Sequence, residues 1–205
     1  TCPVCAPSRA GLLTGRYQQR FGFADNPGPY QRKGAAYVGI PPSQPILSDR
    51  LRSLGYTTGL FGKTHDGIAE EQMAFTRWDE FFGFNNGASN YLGELNRRHN
   101  PIFHNRSILS QSPNTLKTPR SDLLDNGVIH SSETEYLTDS IGDAAVAFIK
   151  SHKQSPFLCY IPFNAIHGPF QAPRRLVEKF SDEADDTRRL VKAMLYSLDQ
   201  NVGKV

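Results

Sequence analysis

"GYTTGLFGKTHDG" (residues 55–67) decides the fold class. Gly55 ends one element, and the run from Tyr56 to Gly62 has the length and composition of a short buried strand. Lys63 and His65 follow it at once. Upstream, "QPILSDRLRSLG" (44–55) spaces Ile46, Leu47, Leu51 and Leu54 on one face of a helix that Gly55 stops. Downstream, "YLTDSIGDAAVAFIKSHK" (136–153) carries a helical stripe of Leu137, Ile141, Ala144, Ala145 and Phe148. "PFLCYIPF" (156–163) is a second buried strand. A last helix, "TRRLVKAMLYSLDQNVGKV" (187–205), places Leu190, Val191, Met194, Leu195, Leu198 and Val202 on one face. Helix, strand, helix, strand, helix predicts an α/β fold with a mostly parallel sheet covered by helices on both faces.

Other segments are less regular. "FGFADNPGPYQRKG" (21–34) is rich in glycine, proline and asparagine and predicts loop. "FTRWDEFFGF" (75–84) predicts a short irregular aromatic element over the core. Residues 96–127 are polar and without a period, and predict a long surface excursion. The 205 residues suit one well-cored domain or part of a larger one. A net charge of +3 fits an anionic small substrate and is too weak to argue for nucleic acid. Three cysteines cannot form a disulfide scaffold, and Cys159, inside an apolar strand, is expected as a core thiol. No run has the length of a membrane span and no signal peptide is visible; the first residue is Thr1, so the natural N-terminus is expected further upstream.

The chain opens with "TCPVCAPSRAGLLTGR" (1–16). Cys2 and Cys5 form a C-x-x-C pair, which taken alone fits a redox dithiol or half of a zinc site. Pro7 suits a first helical turn, and Thr14-Gly15 a stop. Cys5 therefore belongs at or just before a helix N-terminus, where free N–H groups favour a nucleophile or an anion. In open α/β sheets, sites lie beyond the carboxyl ends of strands. Lys63 and His65 follow the first strand, and His167, in "NAIHGPF" (164–170), follows the second. With Cys5 they make a constellation suited to attack on a compact anionic group. Each has an ordinary reading too: Lys63 as a solvated loop lysine, His65 or His167 as a capping residue, Arg9 as a surface arginine.

Cys5-Ala6-Pro7-Ser8-Arg9, followed by Leu12, Thr14, Gly15 and Arg16, resembles C-x-P-S-R-x-x-L-x-T-G, the signature of formylglycine-dependent (type I) sulfatases. "GYTTGLFGKTH" resembles that family's G-Y-x-T-x-x-x-G-K-W-H block, and "PFLCYIPFNAIHGP" its strand ending in His-x-Pro. The blocks stand in family order and span nearly the whole chain. The resemblance implies an alkaline-phosphatase-like fold and a sulfuric ester hydrolase acting on a sulfated small molecule or polysaccharide. It implies that a formylglycine-generating enzyme, reading Pro7 and Arg9, oxidises Cys5 to formylglycine, which leaves Cys2 a bystander. One hydroxyl of the hydrated aldehyde then attacks sulfur, and the other lets sulfate be expelled. By the same resemblance, Arg9 contacts the hydrate, Lys63 binds a sulfate oxygen, His65 assists deprotonation and His167 protonates the leaving oxygen. Ser8 belongs to the modification signal or the helix turn.

A calcium ion is also implied, with the modified Cys5 as its one ligand within residues 1–205 and acidic ligands on strands before and after them. The chain then reads as an interior part of one catalytic domain, inactive alone, from a secreted or periplasmic enzyme. Thr64 and Asp66 depart from the family's usual Trp and Leu, which puts the packing behind Lys63 and His65 in question. A phosphate or phosphonate ester hydrolase of the same superfamily, and a metal-free sulfatase-like binding protein, are the competing readings.

Overall fold

The computed structural model describes residues 2–26, 39–66, 77–84, 87–91 and 136–205, with the backbone of 103–104, 123–125 and 128–129. Its main sheet has the order β3-β2-β1-β6. Strand β1 (Thr57–Lys63) lies between β2 (Glu80–Phe84) and β6 (Phe157–Tyr160) and pairs with both in parallel. Short β3 (Phe103–His104) pairs with β2 antiparallel. The register sets Leu60 beside Phe81 and Tyr160, and Phe61 beside Phe82. Because side chains alternate across a strand, these rows face opposite ways.

Each face has its own helices. Leu60, Phe81, Leu158 and Tyr160 pack with Ala6, Ala10 and Leu13 of α1 (Cys5–Thr14), and with Ile46 and Trp78. Phe61, Phe82 and Phe84 pack with Leu137, Ile141, Ala145 and Phe148 of α3 (Leu137–His152). Leu190 and Met194 of α5 (Asp186–Lys204) complete that side. The expected parallel sheet covered on both faces is thus present. Burial of these aromatic and aliphatic side chains, about 1.5–3 kcal/mol each, supplies the main drive for the layers to close.

Three local expectations are corrected. "FTRWDEFFGF" is no irregular element: its second half is β2, and all five of its residues are buried. A strand covered on both faces is apolar throughout, so it shows no alternation to read. Helix α2 (Leu47–Arg52) is only six residues long, and Leu47 and Leu54 are exposed while Ile46 and Ser48 are buried. Its first turn is set by Asp49, whose Oδ2 accepts from the Ile46 N–H at 2.9 Å, so capping overrides the apolar stripe. On α5 the buried face is Leu190, Ala193, Met194, Ser197 and Asn201, while Leu195 and Val202 are exposed. Asp139 of α3 decides this rotation, since its Oδ1 accepts from Ser197 Oγ at 3.1 Å and Asn201 Nδ2 at 2.6 Å. Gly142 lets the helices close there, because a Cβ on it would stand 2.4 Å from Asn201 Oδ1.

A small antiparallel sheet, β5-β4-β7, joins β4 (Leu123–Asp125), β5 (Val128–Ile129) and β7 (Gln171–Pro173), with the short α4 (Arg174–Val177) after it. The excursion expected at 96–127 lies mostly outside the described residues. Within it, β3 and β4 add to the two sheets, and strands of two and three residues are too short to show a period. Cys159 sits half-buried against the core, where burial pushes its thiol up to about 12.

Candidate active site

Helix α1 begins at Cys5, with no acidic residue in its first turn and no side-chain cap from Val4. Its free N–H groups and positive dipole end therefore face the site uncompensated by a local carboxylate. Asn26 supplies a cap from across the loop: Oδ1 accepts from the Ala6 N–H at 3.0 Å, and Nδ2 donates to Cys5 Sγ at 3.3 Å. Ser8 Oγ donates to the Cys2 carbonyl and closes the turn ahead of the helix. Gly15, at φ 65°, ends it as expected. Cys2 and Cys5 are both free thiols.

Strand β1 delivers the next two groups. Gly62 has φ 135°, and a Cβ there would lie 2.3 Å from the Pro162 carbonyl oxygen, so only glycine lets β1 meet the end of β6. Beyond it Lys63 is 2% exposed, with Nζ donating to the Gly87 carbonyl and reaching the Cys5 thiol. Burial lowers the Lys63 ammonium below its ordinary pKa; negative charge on Cys5 opposes this and the Arg9 charge adds to it. His65 is buried, its backbone is left-handed at φ 47°, and its Nδ1 lies 3.1 Å from Cys5 Sγ. Non-glycine residues are uncommon there, histidine being among the more frequent, and sparsely populated conformations concentrate at functional sites.

The structure thus brings Cys5, Lys63 and His65 together and adds Asn26. Arg9 stands behind them. Its Nη1 donates to the Lys63 carbonyl at 2.8 Å and its guanidinium bonds Tyr160, so among the described residues its partners are these rather than the thiol. His167 is exposed, and its ring Nδ1 stands 2.7 Å from the Gly168 carbonyl oxygen. Its carbonyl accepts from Tyr91 Oη at 2.8 Å. Residues 87–91 are the link: Gly87 touches Lys63 and His65, and Tyr91 touches His167. Thr64 and Asp66, the two departures from the usual pattern, are both buried. A separate cleft of about 670 Å³ along α1 is lined by Ser8, Leu12, Tyr17 and Arg20 and includes none of the three converging groups.

Calcium takes six to eight oxygen donors, several of them carboxylates. Around Cys5 the described contacts are an imidazole, an ammonium and an amide whose oxygen already accepts from Ala6. No cluster of three His, Cys, Asp or Glu suited to a metal occurs among the described residues. These residues do not by themselves make a calcium shell. Formylglycine fits better, since hydrogen-bonding groups already converge on the side chain of position 5.

A family model described as Sulfatase matches residues 1–205. The chain belongs to the sulfatase family. Mouse arylsulfatase J is 26% identical to it over 214 residues, covering 99% of this chain and 31% of that protein. Rat N-acetylgalactosamine-6-sulfatase is 27% identical, covering 99% of this chain and 37% of that protein. The crystal structure of Ps i-CgsB in complex with k-i-k-neocarrahexaose matches at a TM-score of 0.74 and 31% identity, over 99% of this chain and 44% of that one. The chain therefore shares the alkaline-phosphatase-like fold of its family, and it spans less than half the length of each of these relatives.

Asn26, Gly87, Asn164 and Gln171 were not among the residues the sequence singled out. Asn26 falls in a segment whose composition says only loop. Gly87 acts through a backbone carbonyl and a missing side chain, which no residue-type pattern announces.

Proposed function

We propose that the protein carrying this chain hydrolyses sulfate esters of a saccharide or other small molecule, with a nucleophile made from Cys5. The observation that carries this reading is the convergence on Cys5 Sγ of His65 Nδ1 at 3.1 Å, Asn26 Nδ2 at 3.3 Å and the Lys63 ammonium. Formylglycine at this position, installed by a formylglycine-generating enzyme, adds water to give a diol with two hydroxyls on one carbon, so that ester cleavage and sulfate release become separate, easier steps. Lys63 takes a sulfate oxygen, as a buried cation does most effectively where water is excluded. His65 accepts the proton of the attacking hydroxyl, and Asn26 fixes that group's orientation. Arg9 holds the Lys63 carbonyl and so the end of β1. His167 gives its proton to the leaving oxygen. A calcium ion of the kind the family implies would find one ligand among these residues, the modified side chain of position 5, and would supply charge neutralisation there.

The full-length protein is tested for sulfate release from an aryl sulfate and a sulfated oligosaccharide, beside the matching phosphate esters. Sulfate release that Cys5→Ala abolishes is the expected result. Release of phosphate alone would favour the phosphate ester reading. Saccharide binding without release from any ester would favour a binding protein.

A further inference from the structure

We propose that Asn164 and Gln171 are positioning residues for Lys63 and His65, acting on them through the backbone of residues 87–91. This rests on the reading that Lys63 and His65 serve sulfate ester cleavage.

Residues 87–91 belong to no strand or helix, so side chains from elsewhere satisfy much of their backbone. Asn164 Nδ2 donates to the Ser89 carbonyl at 3.0 Å. Gln171 Oε1 accepts from the Tyr91 N–H at 2.8 Å, and its Nε2 donates to Asn90 Oδ1 at 3.2 Å. Tyr91 Oη returns a bond to the His167 carbonyl at 2.8 Å. All these partners lie within eight residues of one another beyond the end of β6. Asn164 and Gln171 are 3% and 1% exposed. Gln171 uses both ends of its buried amide on this segment and Asn164 its Nδ2, and a buried amide hydrogen bond is costly to lose. Gln171 is itself fixed in β7, where its carbonyl accepts from Tyr136 Oη at 3.0 Å.

The other side of the segment meets the site. Gly87 gives its carbonyl to Lys63 Nζ, and its missing Cβ makes room for the imidazole, since a Cβ there would stand 2.9 Å from His65 Cε1. A small shift of 87–91 therefore moves both a cation and an imidazole. It also shifts them relative to His167, which the same segment grips. Ordinary scaffolding would stabilise the fold equally without Lys63; positioning would not.

The test uses the full-length protein with Asn164→Ala and Gln171→Glu, the second keeping the acceptor for Tyr91 and losing the donor to Asn90. Lys63 acetylation by acetic anhydride is followed by mass spectrometry, which needs no enzymatic turnover. It should rise about fivefold or more as the segment loosens. On an aryl sulfate, kcat/KM should fall about tenfold or more in the Lys63 background and less than about twofold when Lys63→Ala is already present. Unchanged labelling, or equal losses in both backgrounds, overturns the proposal. If labelling rises in a protein that cleaves no sulfate ester, the positioning stands and the functional reading fails. If Asn164→Ala does not fold, near-isosteric Asn164→Asp is read by the same criteria.

Discussion

His65 Nδ1 lies 3.1 Å from Cys5 Sγ, and a backbone φ of 47° at His65 accompanies that contact. The two residues are 60 positions apart, on the first turn of α1 and just past the end of β1. Proton transfer between them is the role proposed above for His65, and the contact lies within the hydrogen-bond reach that such a role needs. His65→Ala should lower kcat/KM for sulfate esters about 10²-fold or more. Conversion of Cys5, followed by mass spectrometry, should stay at its wild-type level. Loss of conversion would instead mean that His65 acts before catalysis begins.

Gly87 sets the room available to that imidazole. A Cβ there would stand 2.9 Å from Cε1 and 3.2 Å from Nε2 of His65. Gly87→Ala should displace the ring and cost about 10²-fold in kcat/KM, the scale of a 1 Å misplacement. Combined with His65→Ala, it should cost little more. Full additivity in kinetic assays would show that the methyl acts elsewhere.

Asn26 joins the helix start to the thiol. Asn26→Ala removes the cap on the Ala6 N–H and the donor to position 5, and should destabilise by about 1 kcal/mol. It should also lower kcat more than it raises KM, since orientation of the nucleophile is lost rather than substrate binding. Thermal unfolding and steady-state kinetics check the two effects separately. Asn26→Asp keeps the cap acceptor and loses the donor, so it should restore stability without restoring kcat.

Lys63 carries a pH dependence. Burial, with Arg9 nearby, lowers its pKa from 10.5. A sulfate oxygen needs the charged form, so activity holds below the lowered value and is lost as pH rises through it. The alkaline limb of kcat/KM should therefore fall below 10.5, the ordinary lysine value. Lys63→Arg should shift that limb upward, because a guanidinium keeps its charge. A limb unmoved in this variant would assign it to another group.

The layering was legible in the sequence because helical stripes and buried strands alternate, as Ile141, Ala145 and Phe148 beside Leu60 and Phe61 show. Cys5, Lys63 and His65 were legible for a related reason: a helix start and a strand end each announce themselves by composition. β2 was hidden because burial on both faces erases its period. The inward face of α5 was hidden because Ser197 and Asn201 turn inward to meet Asp139, a choice made between helices. Asn26, Asn164 and Gln171 act at sequence separations of 20 or more, through amides that any loop might carry.

Arg97 and Arg98, in the polar stretch 96–127, lie outside the described residues. Their basic charge makes them candidates either for contact with an anionic saccharide or for an ordinary solvated basic loop, which kinetics distinguishes. Neutralising both should raise KM for a sulfated oligosaccharide and leave a small aryl sulfate unaffected.

Position 5, and not position 2, is proposed to become the nucleophile. The direct measurement is mass spectrometry of the peptide ending at Arg9, from the full-length protein made in a cell that contains the formylglycine-generating machinery. An aldehyde at residue 5, captured by a hydrazide reagent, with Cys2 still a thiol, is the expected result. Two free thiols, or a disulfide between Cys2 and Cys5, would contradict it.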